Sequence, residues 1–299
     1  MQPTDYPIHR DVLKQFWYAF TKTGQVEPVN GQQLDPIVLR SWQRCAPRLS
    51  PRQAPRLVTL QEPALLKTLK VHEDLTMLAR PFLEDIYQFL EGSYCAVLVT
   101  DGAGCILDLE GDQSVLSQTQ DPVTTRGRPV SPFGANDGDG LHKGTIWSEG
   151  VMGTNALGLA LLTAMPVQVV GAEHYHEFFH QIASSAAPIH DVNGRIIGLI
   201  ALLEPLSSVS RHSLSLVMAA ARAINNQLQA NLYLEEANNR LTEVKAILEV
   251  IHEGVVTWDA NGQINHINAL AAQTLKINPA SILGRPFNEI LHFPDELHK

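Results

Sequence analysis

The stretch VLVTDGAGCILDL (97–109) has the pattern of a β-hairpin, and the pattern occurs twice more, in APIHDVNGRIIGLIALL (187–203) and EGVVTWDANGQINHIN (253–268). Each stretch places an Asp at the turn and a Gly three residues later, between apolar runs rich in Val and Ile. Asp favours tight turns because it hydrogen-bonds the turn backbone, and Gly because it tolerates positive φ. Hairpins of this kind form the framework of small sensing and docking domains, so the pattern favours a sensor over an enzyme.

The composition indicates a globular chain with more than one domain. Of its 299 residues, 44% are hydrophobic and 18% are charged, which is enough for a sizeable core. The net charge is −9, and Lys and Arg form no long run. We therefore expect no nucleic-acid contact by this region.

The cysteines and the N-terminus indicate a reducing compartment. Cys45, Cys95 and Cys105 form no CxxC pair, which favours reduced core thiols over a disulfide or metal framework. The N-terminus has no signal-peptide pattern, and no run of about 18 apolar residues follows it. A cytoplasmic location is expected.

Helical spacing dominates the first 90 residues. It predicts a helix in RDVLKQFWYAF (10–20), a second after Asp35 as N-cap with Pro36 in the first turn, and a third from about Pro63 toward Leu90. Further along, Thr154 is expected to cap a helix in TNALGLALLTAM. A strand in PVQVVG (166–171) and a short helix in EHYHEFFHQI (173–182) are expected to follow.

One long helix is predicted after Pro205, because apolar residues recur there at intervals of three and four. The seam consists of Leu214, Val217, Ala221, Ile224, Leu228, Leu234, Leu241 and Leu248, with a phase slip between residues 228 and 234. Pairing with a second copy in a parallel coiled coil would bury this seam and give a homodimer. The alternative is a helix that lies across its own domains.

Three strings carry a family resemblance: WSEGVMGTNALGLAL (147–161), PVQVVGAEHYHEFF (166–179) and SSAAPIHDVNGRIIGLIALLEP (184–205). They resemble the GAF domain of bacterial enhancer-binding activators of the acetoin-catabolism type, and IVLRSWQRCAPRLSP (37–51) is similar to the segment that precedes this domain. Residues 247–291 resemble the first half of a PAS domain. The resemblance implies an α+β fold with N-terminal helices (1–75), a GAF domain (76–205), a coiled-coil linker helix (206–247) and the N-terminal part of a PAS domain (248–299).

The resemblance also implies a function. Members of this family are sigma-54-type transcriptional activators, and the chain has no GxxxxGK[ST] phosphate loop and no basic recognition helix. It is therefore expected to be the sensory region alone, without catalytic activity, metal or cofactor. Regulators of dihydroxyacetone kinase genes in this family respond to kinase subunits, one stimulating and one opposing, which implies such subunits as partners. The implied binding residues of the GAF motif are Trp147, Glu149, Gly153, Thr154, Asn155, His174 and Tyr175.

Two alternatives remain open at the level of sequence. The string HEFFH (176–180) matches HExxH, in which two histidines one helical turn apart bind zinc and the Glu activates water. Ala183 and Ala186 exclude the extended form of that motif, and Glu204 is the remaining candidate for a third ligand. The second alternative is a GAF domain that senses a small molecule at the helix start near Thr154.

Overall fold

The computed structural model describes residues 10–116, 141–250 and 253–290. The chain divides into two compact units, residues 1–229 and 230–299, and the longest helix runs from the first into the second. None of the helices in the described ranges is both long and apolar enough to cross a lipid bilayer.

The first unit begins with four helices. They are α1 (Arg10–Thr23), α2 (Pro36–Cys45), α3 (Glu62–Val71) and α4 (Glu73–Leu90). The predicted start of α2 is confirmed, since the Asp35 carboxylate accepts a hydrogen bond from the Ile37 amide at 2.7 Å. The third predicted helix is divided in two, because the backbone leaves helical geometry at His72.

A five-stranded antiparallel sheet follows, with short helices between its strands. Its strands are β1 (Ala96–Asp101), β2 (Ile106–Gly111), β3 (Val167–Val170), β4 (Ile182–His190) and β5 (Ile196–Pro205), in the order β2-β1-β5-β4-β3. The short helices are α5 (Gln113–Leu116), α6 (Glu149–Met152) and α7 (Ala156–Thr163). The predicted α+β class is confirmed.

The three predicted hairpins are confirmed, and they share one turn. In each turn a single Asp oxygen accepts hydrogen bonds from the backbone amides two and four residues later, at 2.8 to 2.9 Å. The Gly three residues after the Asp has a φ of +76° to +83°, which side-chain-bearing residues rarely adopt. The Asp residues are Asp101, Asp191 and Asp259, and the glycines are Gly104, Gly194 and Gly262.

The sheet has a buried cluster on each face. Trp147, Met152, Leu157 and Phe179 pack on one face, together with the apolar side of α7. Helix α4 covers the other face together with the first half of the long helix α8 (Arg211–Val250). The N-terminal helices form a third cluster, which includes Tyr175.

The predicted dimer seam is corrected in its first half. Val217, Ala221 and Ile224 are buried against the sheet of their own unit, and Leu214 and Leu228 pack at the edge of the same cluster. A side chain that is buried against its own sheet is not available to pair with a second copy. The later seam residues differ: Leu234 and Leu241 are exposed and Leu248 is half-buried.

Two local expectations are also corrected. Asn155 caps α7, not Thr154, because its side chain accepts from the Gly158 amide at 2.9 Å. The expected helix in EHYHEFFHQI does not form: one 3₁₀ turn, Gly171–Glu173, ends at the first residue of the string, and a second, Glu177–Phe179, lies within it.

The second unit contains the end of α8 and the third hairpin. The hairpin strands are β6 (Val256–Trp258) and β7 (Ile264–Ile267), and the helices α9 (Ala269–Leu275) and α10 (Pro279–Ile282) follow, then a 3₁₀ turn (Phe287–Glu289). A small cluster of Ile264, Ile267, Ala271, Ala272 and Ile282 forms its core.

Candidate functional site

Glu149 joins the GAF-like motif to helix α2. Its Oε1 accepts hydrogen bonds from Ser41 Oγ at 2.5 Å and from an Arg44 Nη at 2.7 Å. Its Oε2 accepts from Arg44 Nε at 2.8 Å, so the guanidinium binds both carboxylate oxygens. The Glu149 side chain is 12% exposed and the Arg44 side chain 47%, so the ion pair lies at the rim of the contact. We call this contact between α2 and the start of α6 the N-terminal junction.

Thr154 lies beneath the ion pair. Its hydroxyl is 2.6 Å from Ser41 Oγ, and both side chains are fully buried. Because the single Ser41 proton goes to Glu149, Thr154 donates to Ser41, which gives the chain Thr154 to Ser41 to Glu149. Cys45 lies 3.8 Å from Thr154, and burial raises the pKa of its thiol to about 11, so it stays protonated and unreactive.

A second set of contacts holds the turn that contains Tyr175. Trp17 Nε1 of α1 donates to the Tyr175 carbonyl at 2.8 Å, and Trp42 Nε1 of α2 donates to the Glu173 carbonyl at 2.8 Å. The Tyr175 hydroxyl donates to the Leu49 carbonyl at 3.1 Å. The N-terminal helices are therefore fixed to the sheet domain by side-chain hydrogen bonds as well as by apolar packing.

His174 connects this turn to the sheet. Its Nδ1 lies 3.0 Å from the Gly171 carbonyl, so Nδ1 carries the proton, and its Nε2 accepts from Ser184 Oγ at 3.0 Å. Ser184 in turn accepts from the Ala156 amide at 3.1 Å. Burial lowers the pKa of His174 to about 3, and the ring is therefore neutral at physiological pH.

Glu173 is the residue next to His174. Burial raises the pKa of its carboxyl from 4.5 to about 7, and the carboxyl accepts a hydrogen bond from the Val170 amide at 2.7 Å. Burial therefore favours the protonated form of this carboxyl. It forms part of the same turn whose backbone carbonyl Trp42 contacts.

Trp147 and Gly153 shape the interior of the motif. Trp147 is buried with its ring centroid 5.7 Å from that of Phe179. Gly153 has a φ of +68°, and a Cβ at this position would lie 2.9 Å from the ring of His176. Gly is therefore required there both for backbone conformation and for space.

All seven predicted motif residues thus lie in one region, but their contacts are with protein groups. Glu149, Thr154 and Tyr175 bind the N-terminal segment, and Asn155 and His174 hold the local backbone. The sequence did not identify Ser41 and Arg44 as their partners. The only available signal was that SWQRC belongs to a string resembling the segment before a GAF domain, and this gave no contact across more than 100 residues.

A cleft of about 370 Å³ opens beside the junction. Its lining residues are Arg44, Cys45, Pro47, Arg48, Leu49, Glu149 and Gly150. Its lining thus includes two exposed arginines, Arg44 and Arg48.

The HEFFH string does not have the geometry of a zinc motif. HExxH requires an α-helix that projects both histidines from one face, and here the string forms a 3₁₀ turn. His180 Nε2 lies 3.3 Å from the His174 carbonyl, and its ring packs edge-on against Trp17. Among the described residues, no three His, Cys, Asp or Glu side chains are grouped so that they could hold a metal ion.

Comparison with known families and proteins agrees with this geometry. The model of the GAF domain family matches residues 74–228, more than half of the chain. This chain belongs to the GAF domain family. The PAS fold model matches residues 242–299, after the GAF domain. The resemblance inferred from the sequence is therefore confirmed at the family level.

Three curated relatives of this chain have the names of regulatory proteins. The PTS-dependent dihydroxyacetone kinase operon regulatory protein of Escherichia coli K12 is 30% identical over 276 residues, which are 90% of this chain and 40% of that protein. The glycerol metabolism operon regulatory protein of Citrobacter freundii is 28% identical, covering 88% of this chain and 38% of that protein. The acetoin dehydrogenase operon transcriptional activator AcoR of Bacillus subtilis is 28% identical, covering 72% of this chain and 33% of that protein. The chain thus spans 40% or less of the length of these relatives.

One solved structure matches the GAF domain together with its surroundings. The crystal structure of the E. coli DhaR(N)–DhaL complex contains a chain that is 28% identical to this one, with a TM-score of 0.76. The match covers 88% of this chain and 84% of that chain.

Proposed function

We propose that this chain is the sensory and regulatory region of a cytoplasmic sigma-54-type transcriptional activator, and that a dihydroxyacetone kinase subunit is its input. The observation that carries the proposal is the match to the DhaR(N) chain, whose crystal structure contains a protein partner, DhaL. The curated relatives support the regulatory role. ATP hydrolysis and DNA binding would belong to domains outside these residues.

The geometry of the N-terminal junction favours a protein input over a small-molecule input. The polar side chains of Glu149 and Thr154, which the motif would offer to a ligand, are engaged by Ser41 and Arg44. A ligand at this position would have to break those contacts. Docking on the outer surface of the junction would leave them intact.

Helix α8 is the proposed relay. Its first half packs on the GAF sheet, and its second half carries exposed apolar residues, including Leu234 and Leu241. We propose that this second half pairs in parallel with the same half of a second copy, which gives a homodimer. Partner docking would then favour one packing of α8 over another.

Such a relay requires the partner to bind one of its two states more tightly than the other. To move an equilibrium from mostly off to mostly on, the partner must prefer one state by about 5 kcal/mol. The proposal includes no catalytic activity, since the geometry of HEFFH gives the zinc-hydrolase alternative no support.

Co-elution in size-exclusion chromatography tests the proposal. The purified chain is mixed in turn with each purified dihydroxyacetone kinase subunit from the same organism. We expect a stable complex with one of them and no turnover of any substrate. Failure of every subunit to co-elute or to bind in titration would refute the protein input, and a metabolite that raises the melting temperature would favour the small-molecule sensor.

A further inference from the structure

The segment between Asp35 and Glu62 has a charge opposite to that of the chain as a whole. It contains five arginines and no acidic residue, whereas the whole chain has a net charge of −9. The arginines recur at every fourth position: Arg40, Arg44, Arg48, Arg52 and Arg56. Arg44 is used in the N-terminal junction.

The last three arginines form a separate feature, which we call the arginine strip: Arg48, Arg52 and Arg56. Each follows a proline, so the sequence repeats Pro-Arg at intervals of four residues. All three are exposed, and within the described ranges none of their guanidinium groups forms an ion pair or a hydrogen bond.

The backbone that carries the strip is held firmly to the GAF domain. The Leu49 carbonyl accepts from the Tyr175 hydroxyl at 3.1 Å, and the Pro51 carbonyl accepts from the Glu177 amide at 2.8 Å. Pro55 is buried and Leu57 packs against the main cluster. The guanidinium groups are thus presented from an ordered support, which lowers the entropic cost of binding.

We propose that the arginine strip docks an acidic surface of a protein partner. Arginine suits this role because its planar guanidinium binds a carboxylate through two hydrogen bonds. Arg48 also lines the cleft beside the junction, where an acidic side chain of the partner can enter. The partner named above is the first candidate, and only that identity rests on the proposed function.

The same observations disfavour nucleic acid. A long polyanion would meet the repulsion of a chain with net charge −9, whereas a partner protein needs complementary charge only within the screening length of about 8 Å. Val58, two residues after Arg56, is 47% exposed, and an apolar residue beside arginines is typical of a protein interface.

A matched pair of charge reversals tests the strip. The double variant Arg48→Glu/Arg52→Glu reverses two charges of the strip. Arg195→Glu/Arg222→Glu makes the same net-charge change at exposed arginines elsewhere in the first unit. Unchanged far-ultraviolet circular dichroism and melting temperature establish that each variant is folded. Binding of the purified kinase subunit is measured at two salt concentrations. We expect the strip variant to bind about tenfold or more weakly with a reduced salt dependence, and the control variant to bind within about threefold of the wild type.

The possible results separate the two proposals. If the wild type and the strip variant bind the subunit equally well, the docking role of the arginine strip is refuted, while the proposed function stands. If the wild type binds no subunit, the proposed function fails, and binding of a short polyglutamate peptide and of a short DNA duplex then tests the role of the arginine strip. Peptide binding by the wild type that the strip variant loses supports docking of an acidic protein surface. Absence of peptide binding, or tighter binding of the duplex, overturns it.

Discussion

At the scale of single residues, Glu149 joins the most contacts at the N-terminal junction. It accepts from two side chains of α2, and one of them, Ser41, is also bonded to Thr154. These bonds connect parts of the chain that are more than 100 residues apart in sequence. Loss of the carboxylate would leave a buried hydroxyl and a guanidinium without their acceptor.

We predict that Glu149→Ala destabilises the first unit by about 1 to 3 kcal/mol, since removing one partner of a buried hydrogen-bonded group costs this much. Urea denaturation followed by tryptophan fluorescence measures the change, because Trp17, Trp42 and Trp147 are buried in this unit. Glu84→Ala, at an exposed position of α4, is the control and should change stability by less than about 0.5 kcal/mol. Equal effects of the two variants would contradict the role given to Glu149.

Glu204 is a second residue whose burial has a measurable consequence. It is 2% exposed at the end of β5, and its Oε1 has no hydrogen-bond partner in the described part of the chain. Burial raises the pKa of its carboxyl from 4.5 to about 7, and the Ser213 side chain offsets part of this rise. Because the folded-state pKa is raised, ionisation opposes folding, and stability falls as the pH rises from about 4.5 to about 7.

We predict that Glu204→Gln is increasingly more stable than the wild type as the pH rises through this window, by up to about 3 kcal/mol above pH 7. The difference in unfolding free energy between variant and wild type is the useful quantity, because the contributions of His174 and His180 cancel in it. Both have lowered pKa values, so they make the protein less stable as the pH falls below the usual pKa of histidine. Urea denaturation at a series of pH values gives this difference. A difference that stays constant from pH 4.5 to pH 8 would show that Glu204 is not titrated in this way.

At the scale of elements, the three hairpin turns are alike in their hydrogen bonds but differ in their surroundings. A Cβ at Gly194 would meet nothing within 4 Å, whereas a Cβ at Gly104 would lie 3.3 Å from the Trp147 backbone. Both glycines have positive φ, so a side chain is strained at either position.

We predict that Gly194→Ala costs about 1 kcal/mol from backbone strain alone, and that Gly104→Ala costs more because the Trp147 backbone must also move. Gly150→Ala is the matched control: it lies in α6 without positive φ and has open space around it, so it should be neutral or slightly stabilising. Chemical denaturation of the three variants ranks them. If Gly104→Ala costs no more than Gly194→Ala, the contact with Trp147 has no energetic weight.

Local patterns predicted these elements well, for a physical reason. The Asp and Gly of each hairpin and the Asp35 cap of α2 act within a few residues, so the sequence contains the whole interaction. The Thr154 cap was wrong because tertiary contacts with Ser41 and Cys45 occupy its hydroxyl, which leaves the cap to Asn155. HEFFH matched the residue pattern of a helical zinc motif, but the backbone there forms a 3₁₀ turn.

The site was predictable only in part. The family resemblance located its residues around 147–155 and 174–175, but the junction depends on pairing with α2, which no local pattern reports. The arginine strip could be read as a repeat in the sequence. Its exposure and its lack of ion pairs in the described ranges needed the structure.

At the scale of the whole molecule, the two halves of α8 have different roles. In the sequence both halves repeat apolar residues at helical spacing, so one seam was predicted across the phase slip, although the first half packs on its own sheet. In the second half, Leu234 is 64% exposed and Leu241 59%, which a second copy would cover.

We predict that Leu241→Glu weakens self-association by about tenfold or more, because a charge in an apolar seam is costly to bury. Asn239→Glu, exposed on the same helix and facing away from the seam by the heptad spacing, should leave association unchanged. Sedimentation equilibrium measures both variants against the wild type. A wild type that stays monomeric at micromolar concentration would refute the paired helix.

The central claim is that a protein docks on the first unit and that α8 carries the effect onward. Hydrogen exchange of the purified chain, with and without a saturating amount of the purified dihydroxyacetone kinase subunit, tests both parts of this proposal. We predict slower exchange in the segment of residues 48–60 and changed exchange in the second half of α8, residues 230–248. Unchanged exchange in both segments on addition of the subunit would contradict it.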